Sequence, residues 1–269
     1  MDSPFDPDPV DHDPMDADPV DPLPPPSFAV ADPIALLRDG EIELVGRLVE
    51  ASNATFVCRV TLPCPDPEPD VVATAVYKPI RGERPLDDFP AGTLANREVA
   101  AYFVSQASGW WIVPPTVRRD GPLGPGALQL WVEPDPAIDP LSLLRQRDPA
   151  LRRMAAFDAA VNNADRKVGH LLPVGGGHVF GVDHGICFAV EPKLRTVLWA
   201  WHGEPFTAGE RIMLERLRDQ MEDRLAVAVD ALLSQAEIDA TRRRIDALLA
   251  AGRFPHPLPG RPAIPWPPY

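Results

Sequence analysis

Two short polar stretches restrict this chain more than any other feature in it. Asn162-Asn163-Ala164-Asp165-Arg166-Lys167-Val168-Gly169-His170 follows a segment in which Leu151, Met154, Phe157 and Val161 recur at helical spacing. Val182-Asp183-His184-Gly185 follows Leu171-Leu172-Pro173, the turn Gly175-Gly176-Gly177 and His178-Val179-Phe180-Gly181. The apolar stripe belongs to a helix facing a core, and the glycine turn between two short apolar runs reads as a hairpin. That hairpin carries Asp183 back beside Asp165. The two carboxylates then form one polar site split across a turn, not two solvated loops.

The upstream half supplies matching chemistry. Ile42, Leu44, Gly46 and Leu48 alternate in a strand over 41–50, and Thr55 to Leu62 reads as its partner. The turn between them contains Ser52 and Asn53; it serves either as an ordinary hairpin turn or as a cradle of backbone N–H groups for phosphates. A third strand, Val71 to Tyr77, delivers Lys78 from an apolar run, where an unpaired ammonium is costly and an anionic partner is required. The helix expected over Leu94 to Phe103 carries Glu98 toward it. A strand lysine paired with a helix glutamate is the device by which kinases hold nucleotide phosphates. Strands at Ile112 to Val117 and Ala127 to Val132 follow, separated by the turn-rich 119–126. Trp131, Val132 and Glu133 then cross toward the second half, where a backbone edge is available to adenine.

Asp32-Pro33, Asp139-Pro140 and Asp148-Pro149 each begin a helix, over Ile34 to Arg38, Leu141 to Arg145 and Ala150 to Val161. Residues 186–206 contain too many aromatics and charges for one regular element. The segment Lys193-Leu194-Arg195 with Trp199 and Trp201 lies where a substrate segment is expected; it serves either to meet a phosphorylated or lipid head group with its bases and tryptophans, or as a stretch that Val197, Leu198 and the tryptophans bury against the later helices. Those helices open with the capping boxes Thr207 with Glu210 and Ser234 with Glu237.

Composition sets the borders. Of 35 prolines, nine lie before Ser27 and seven after Arg253, so both ends read as extended tails. The formal charge is -13, but residues 1–37 hold nine Asp and no Lys or Arg, which leaves 30 acids against 26 bases. The remainder offers no basic stripe for a nucleic-acid backbone. Cys58, Cys64 and Cys187 form neither a CxxC pair nor a metal-ligand spacing, which fits a reducing cytoplasm. The beginning of the chain lacks the pattern of a signal peptide, and no apolar run is long enough to span a bilayer, so stable membrane insertion is not expected. The expected divisions are a disordered acidic tail at 1–26, one lobe at 27–133, a second at 134–252, and a proline-rich tail at 253–269. The tails suit binding to other proteins.

Four segments, Ala75-Val76-Tyr77-Lys78-Pro79, Asn96-Arg97-Glu98-Val99-Ala100-Ala101-Tyr102, Asn163-Ala164-Asp165-Arg166-Lys167 with His170, and Val182-Asp183-His184-Gly185, occur in order. Together they resemble the kinase branch that contains phosphatidylinositol 3- and 4-kinases and HipA-like bacterial kinases. From Leu44 to about Leu249 the chain is similar to an actinobacterial family related to the phosphatidylinositol kinases. The resemblance implies an α+β, two-lobed protein-kinase-like fold: an antiparallel N-lobe sheet with a helix, and a mostly helical C-lobe. It further implies ATP, Mg2+ or Mn2+, and transfer of the γ-phosphate to a hydroxyl.

The roles follow from phosphotransfer chemistry. Asp165 takes or orients the acceptor proton, Asp183 offers a hard carboxylate to the metal, and Arg166 holds the loop, with Asp158 bracing it one helical turn before Asn162. Related kinases carry Asp-Arg-His-x-x-Asn. Here Lys167 stands in place of the His and His170 in place of the metal-binding Asn, so His170 is a second candidate ligand, one that favours softer divalent metals. His184 occupies the place of a packing Phe. The acceptor expected is a protein Ser/Thr, including the chain itself, or a soluble small molecule, since an acidic protein without an anchor is poorly suited to anionic membranes. Two other readings are an inactive, nucleotide-binding pseudokinase and a metal-dependent hydrolase; the latter leaves Lys78 and Glu98 without a purpose.

Overall fold

A computed structural model describes residues 26–48 and 53–269. Ser52 and the expected acidic tail, apart from Pro26, lie outside the described residues.

The first lobe is built on alternation. Helix α1 (Pro33–Asp39) starts where the Asp32 carboxylate accepts from the Ala35 N–H, and it buries Leu36 and Leu37. Strands β1 (Glu41–Arg47), β2 (Phe56–Leu62) and β3 (Val71–Pro79) follow, with a bulge between Leu44 and Gly46. Helix α2 (Leu94–Ser108) intervenes before β4 (Thr116–Gly121) and β5 (Gly124–Leu130). The five strands form an antiparallel sheet in the order β1-β2-β3-β5-β4. Alternate side chains Cys58, Val60, Ala75, Tyr77, Leu128 and Leu130 meet Leu36 and Leu37 in one core.

The strand expected over Ile112 to Val117 begins only at Thr116. Trp110, Ile112 and Val113 are instead buried in the larger core, and Pro114 and Pro115 have no N–H to give a ladder. The turn is also shorter than its composition implies, because Gly121 already pairs with Gly124.

The second lobe is mostly helical. It comprises α3 (Pro140–Gln146), α4 (Pro149–Val161), the hairpin β6 (Leu171–Val174) and β7 (His178–Gly181), then α5 (Ala208–Gln220), α6 (Arg224–Asp230) and α7 (Gln235–Ala251). Both capping boxes form, at Thr207 with Glu210 and at Ser234 with Glu237. The architecture is thus α+β, an antiparallel five-stranded sheet followed by a mostly helical half, as expected.

Helix α2 belongs to both lobes. Leu94, Ala95, Glu98, Val99, Ala101 and Val104 are all buried, so it lacks a single polar face. Ala95, Val99, Ala100, Ala101 and Val104 join the core made by α4, α5, α6 and α7. Arg97 is bonded to Glu237 on α7, donates to the Cys187 carbonyl at 2.6 Å and lies over the Phe89 ring. The start of α2 is capped from a distance: the Glu83 carboxylate accepts from the N–H groups of Leu94 and Ala95.

Candidate active site

Helix α4 stops at Asn162, whose left-handed backbone (φ 56) ends the helix at low cost for an asparagine. Its side chain is fully used, donating to the carbonyls of Ala189 and Glu191 and accepting from the Lys193 N–H. Asn163 donates to Asp158 Oδ1 at 3.0 Å and accepts from the Asp165 N–H at 2.9 Å. The polar run after α4 is therefore a bonded loop, with Asp165 held at its turn.

Arg166 is the centre of that loop and is fully buried with Asp158. It donates from Nε to Asp158 Oδ2 at 2.9 Å, from Nη2 to Asp158 Oδ1 at 2.9 Å, and from Nη1 to the Val182 carbonyl at 3.0 Å. Its Nη2 also meets His184 Nε2 at 2.6 Å. A guanidinium only donates, so His184 Nε2 is the acceptor and the imidazole proton sits on Nδ1, which is buried and has no partner among the described residues. One arginine thus joins α4, the loop and the segment bearing Asp183. Gly181 lies close against it: a Cβ there would lie 3.0 Å from Arg166 Nη1, so the guanidinium would have to give way. His184 packs edge-on to Phe157, in keeping with a packing role.

Lys78, at the end of β3, is bonded to Glu98 of α2 and lies 3.0 Å from Asp183 Oδ1. The other Glu98 oxygen accepts from the His184 N–H at 3.0 Å. Asp183 itself has φ 59, a left-handed conformation that Asp tolerates and that turns its carboxylate toward Lys78. Its second oxygen is 3.5 Å from His170 Nε2. Lys167 Nζ is 3.1 Å from Asp165 Oδ2. Ligand atoms, one each from Asp165, His170 and Asp183, lie within 4.8 Å of one another.

The charges are mutually dependent. Lys78 holds Asp183 well below the usual carboxylate range. Burial pulls down on the Lys78 ammonium, but Asp183 and Glu98 outweigh it and raise its pKa. Burial raises Glu98, against the pull of Lys78. Asp165 is raised by burial, with Lys167 opposing. Burial lowers His170 from 6.5 to about 4, so its imidazole is neutral at pH 7 and available as a ligand. The donor set of two carboxylates and an imidazole, whose buried Nδ1 has no partner among the described residues, fits a divalent cation.

The structure thus gathers Lys78, Glu98, Asp165, Arg166, Lys167, His170 and Asp183. Asn53 stands nearby: its side chain accepts from the Arg84 N–H, and it lines a cavity of about 40 Å³ with Lys78, Glu98 and Asp183. Trp131, Val132 and Glu133 line another cavity, of about 460 Å³, with Arg153, the Gly175–Gly177 turn and Phe180. There the Trp131 indole donates to Glu133 and its backbone N–H to Thr74. Two positions, Glu83 and Arg97, lay beyond the reading of the sequence, and for Arg195 the reading had the base but not its partners. Glu83 caps α2 from a distant loop, Arg97 ties α2 to α7, and Arg195 pairs its backbone with Asn163 and Arg166. None has a local spacing signal, because each partner is supplied by tertiary folding. In the segment after Asp183, Leu198 and Trp201 are buried, and the Trp199 indole donates to the Ala263 carbonyl. No helix among the described residues is long and apolar enough to cross a membrane.

The chain is 45% identical over 271 aligned positions to Protein Rv2133c of Mycobacterium tuberculosis, an alignment covering 88% of this chain and 95% of that protein. No family model matches the chain. Similar solved structures include hydra Fam20 with sugar, at TM-score 0.49 and 16% identity, covering 81% of this chain and 86% of that one. They include also the Golgi casein kinase, at TM-score 0.47 and 14% identity, covering 81% and 72%. A third is the Helicobacter pylori proinflammatory kinase CtkA, at TM-score 0.43 and 12% identity, covering 81% and 94%.

Proposed function

The chain belongs to the family of Protein Rv2133c of Mycobacterium tuberculosis, and from its site we propose that it is an ATP- and divalent-metal-dependent phosphotransferase related to the phosphatidylinositol kinases. The observation that carries this reading is the three-way arrangement of Lys78, Glu98 and Asp183 between the two lobes. A hydrolase has no use for a buried strand lysine clamped by a helix glutamate. For a nucleotide, that lysine is a fixed cation against phosphate oxygens, oriented before the ligand arrives.

Asp183 and His170 would hold the cation, which supplies charge neutralisation on the transferred phosphoryl group. Asp165 accepts the proton of the attacking hydroxyl, and its raised pKa brings it closer to the working pH. Lys167, 3.1 Å from Asp165, offsets the negative charge where acceptor and phosphate meet. Arg166 keeps the loop in place through Asp158 and the Val182 carbonyl. The acceptor is a hydroxyl of a protein, including autophosphorylation, in preference to a lipid.

Calorimetric titration with ATP and Mn2+ tests the nucleotide part of this reading. Binding by the wild type that is weakened in Lys78→Met supports it; equal binding by both proteins contradicts it. A second reading, a nucleotide-binding protein without transfer activity, is favoured by one observation: an imidazole, His170, stands where related kinases place an amide.

A further inference from the structure

A second charged cavity lies beside the catalytic loop. It holds about 120 Å³ and is lined by Asp88, Lys193, Leu194, Arg195, Leu258, Arg261 and Pro262. Three cations face one carboxylate there, in a chain whose net charge is -13. The one carboxylate is already engaged, since Lys193 Nζ is 2.6 Å from Asp88. Arg261 spends one N–H on the Pro192 carbonyl at 3.0 Å. Among the described residues, the Arg195 guanidinium has no hydrogen bond or ion pair within the protein. Surface cations ordinarily point apart into water. Here two segments, 193–195 and the C-terminal stretch at Arg261, turn them into one concave space, and the repulsion that Asp88 leaves uncompensated is relieved when an anion enters.

The position of the cavity gives it meaning. Arg195 is fastened by its backbone to the catalytic loop on both sides: its N–H donates to the Asn163 carbonyl at 3.0 Å, and its carbonyl accepts from the Arg166 N–H at 3.1 Å. Thr196 and Arg166 form a parallel bridge. The field of Arg195 reaches Asp165, whose carboxyl it favours in the charged form. The cavity is thus attached to the residue that receives the acceptor proton.

The proline-rich C-terminal segment builds the remaining wall. The Ala263 carbonyl accepts from the Thr196 N–H at 3.1 Å and from the Trp199 indole at 2.8 Å, and the Pro268 carbonyl accepts from the Val168 N–H at 2.9 Å. These bonds fix the segment across the catalytic loop and bring Arg261 and Pro262 into place. Proline suits such a strap, because its backbone is held extended at little ordering cost.

We propose that Lys193, Arg195 and Arg261 form a binding site for an anionic group, a phosphate or a carboxylate, carried by the phosphoryl acceptor. The fork of an arginine matches either group with paired charge-assisted hydrogen bonds. The role as an acceptor site rests on the phosphotransferase reading; the anion site itself does not.

Two measurements separate these parts. The first is titration of the full chain with inorganic phosphate, followed by NMR of the Trp199 indole, in wild type, Lys78→Met and the double variant Arg195→Ser, Arg261→Ser. The expected result is saturable binding kept in Lys78→Met and weakened by roughly tenfold or more in the double variant. Absence of saturable shifts at Trp199, or equal affinity in the double variant, overturns the anion site. The second is label transfer from ATP to a serine peptide flanked by Asp and Glu, and to glucose 6-phosphate, each against its uncharged counterpart. Preference for one anionic acceptor, lost in the double variant, supports the acceptor role and identifies its source. Equal transfer to the uncharged counterparts overturns that role. Phosphate binding without any ATP turnover would overturn the acceptor role through the phosphotransferase reading, while leaving the anion site in place.

Discussion

Arg166 grips both carboxylate oxygens of Asp158, a residue eight positions earlier on helix α4, and neither side chain has any exposed surface. The loop after α4 is therefore bolted to a core helix by a buried, bidentate ion pair, and the same arginine reaches forward to the Val182 carbonyl and His184. The loop carrying Asp165 and the segment carrying Asp183 are held by one guanidinium.

Breaking this pair should be severe. Asp158→Ala leaves the Arg166 charge buried against only a carbonyl and an imidazole, which costs about 3–5 kcal/mol when one partner of a buried pair is removed. Urea denaturation is the check. A loss below about 1 kcal/mol, the value typical of exposed pairs, would show that the site opens to water.

Removing Lys78 should act on function more than on folding. In Lys78→Met, Asp183 loses the largest influence lowering its pKa, and Glu98 is left buried without its cation. We expect kcat/KM for ATP to fall roughly 10^2- to 10^3-fold, as for loss of one preorganised electrostatic contact. Steady-state kinetics in parallel with thermal melting will distinguish this from unfolding; proportional loss of both would contradict it.

Stability should fall on acidification through His170. Burial places its folded pKa at about 4 against 6.5 when free. Between those values the unfolded chain binds the proton and the folded chain does not, so stability is full above about pH 6.5 and declines toward pH 4. The difference corresponds to roughly 3 kcal/mol at most. Buried His184, also lowered by burial, acts in the same direction. Denaturation curves from pH 4 to 7.5 should flatten in His170→Asn. An unchanged slope in that variant would remove His170 from the account.

The metal preference should follow the same residue. An imidazole beside carboxylates favours Mn2+ over Mg2+ more than an amide oxygen does. Mn2+ binding by electron paramagnetic resonance should weaken in His170→Asn, while the ratio of Mg2+- to Mn2+-supported transfer rises. Unaltered Mn2+ affinity would show that His170 does not bind the ion.

Much of this was legible in the residues, for local reasons. Asp139-Pro140, Asp148-Pro149 and the two capping boxes marked helix starts because the caps involve neighbouring residues. Lys78 announced a buried partner because it ends an apolar strand, and that partner is Glu98. The strand before Thr116 was misplaced because Ile112 and Val113 are apolar for the sake of the main core, while Pro114 and Pro115 deny a ladder. The burial of most of α2 and the Arg97–Glu237 tie were invisible, since they depend on where α7 comes to rest. Arg195 was visible as a base but not as a neighbour of Asn163 and Arg166. Spacing along the chain reports periodic elements; it does not report which loops meet.

The most direct test of phosphotransfer is incubation of the purified protein with γ-labelled ATP and Mn2+ or Mg2+, alongside Asp165→Ala and Asp183→Ala. Label should pass to a hydroxyl in the wild type, fall about 10^2- to 10^4-fold in Asp165→Ala, and fall further in Asp183→Ala, which lacks the metal carboxylate. Equal label transfer in all three proteins would contradict the assignment.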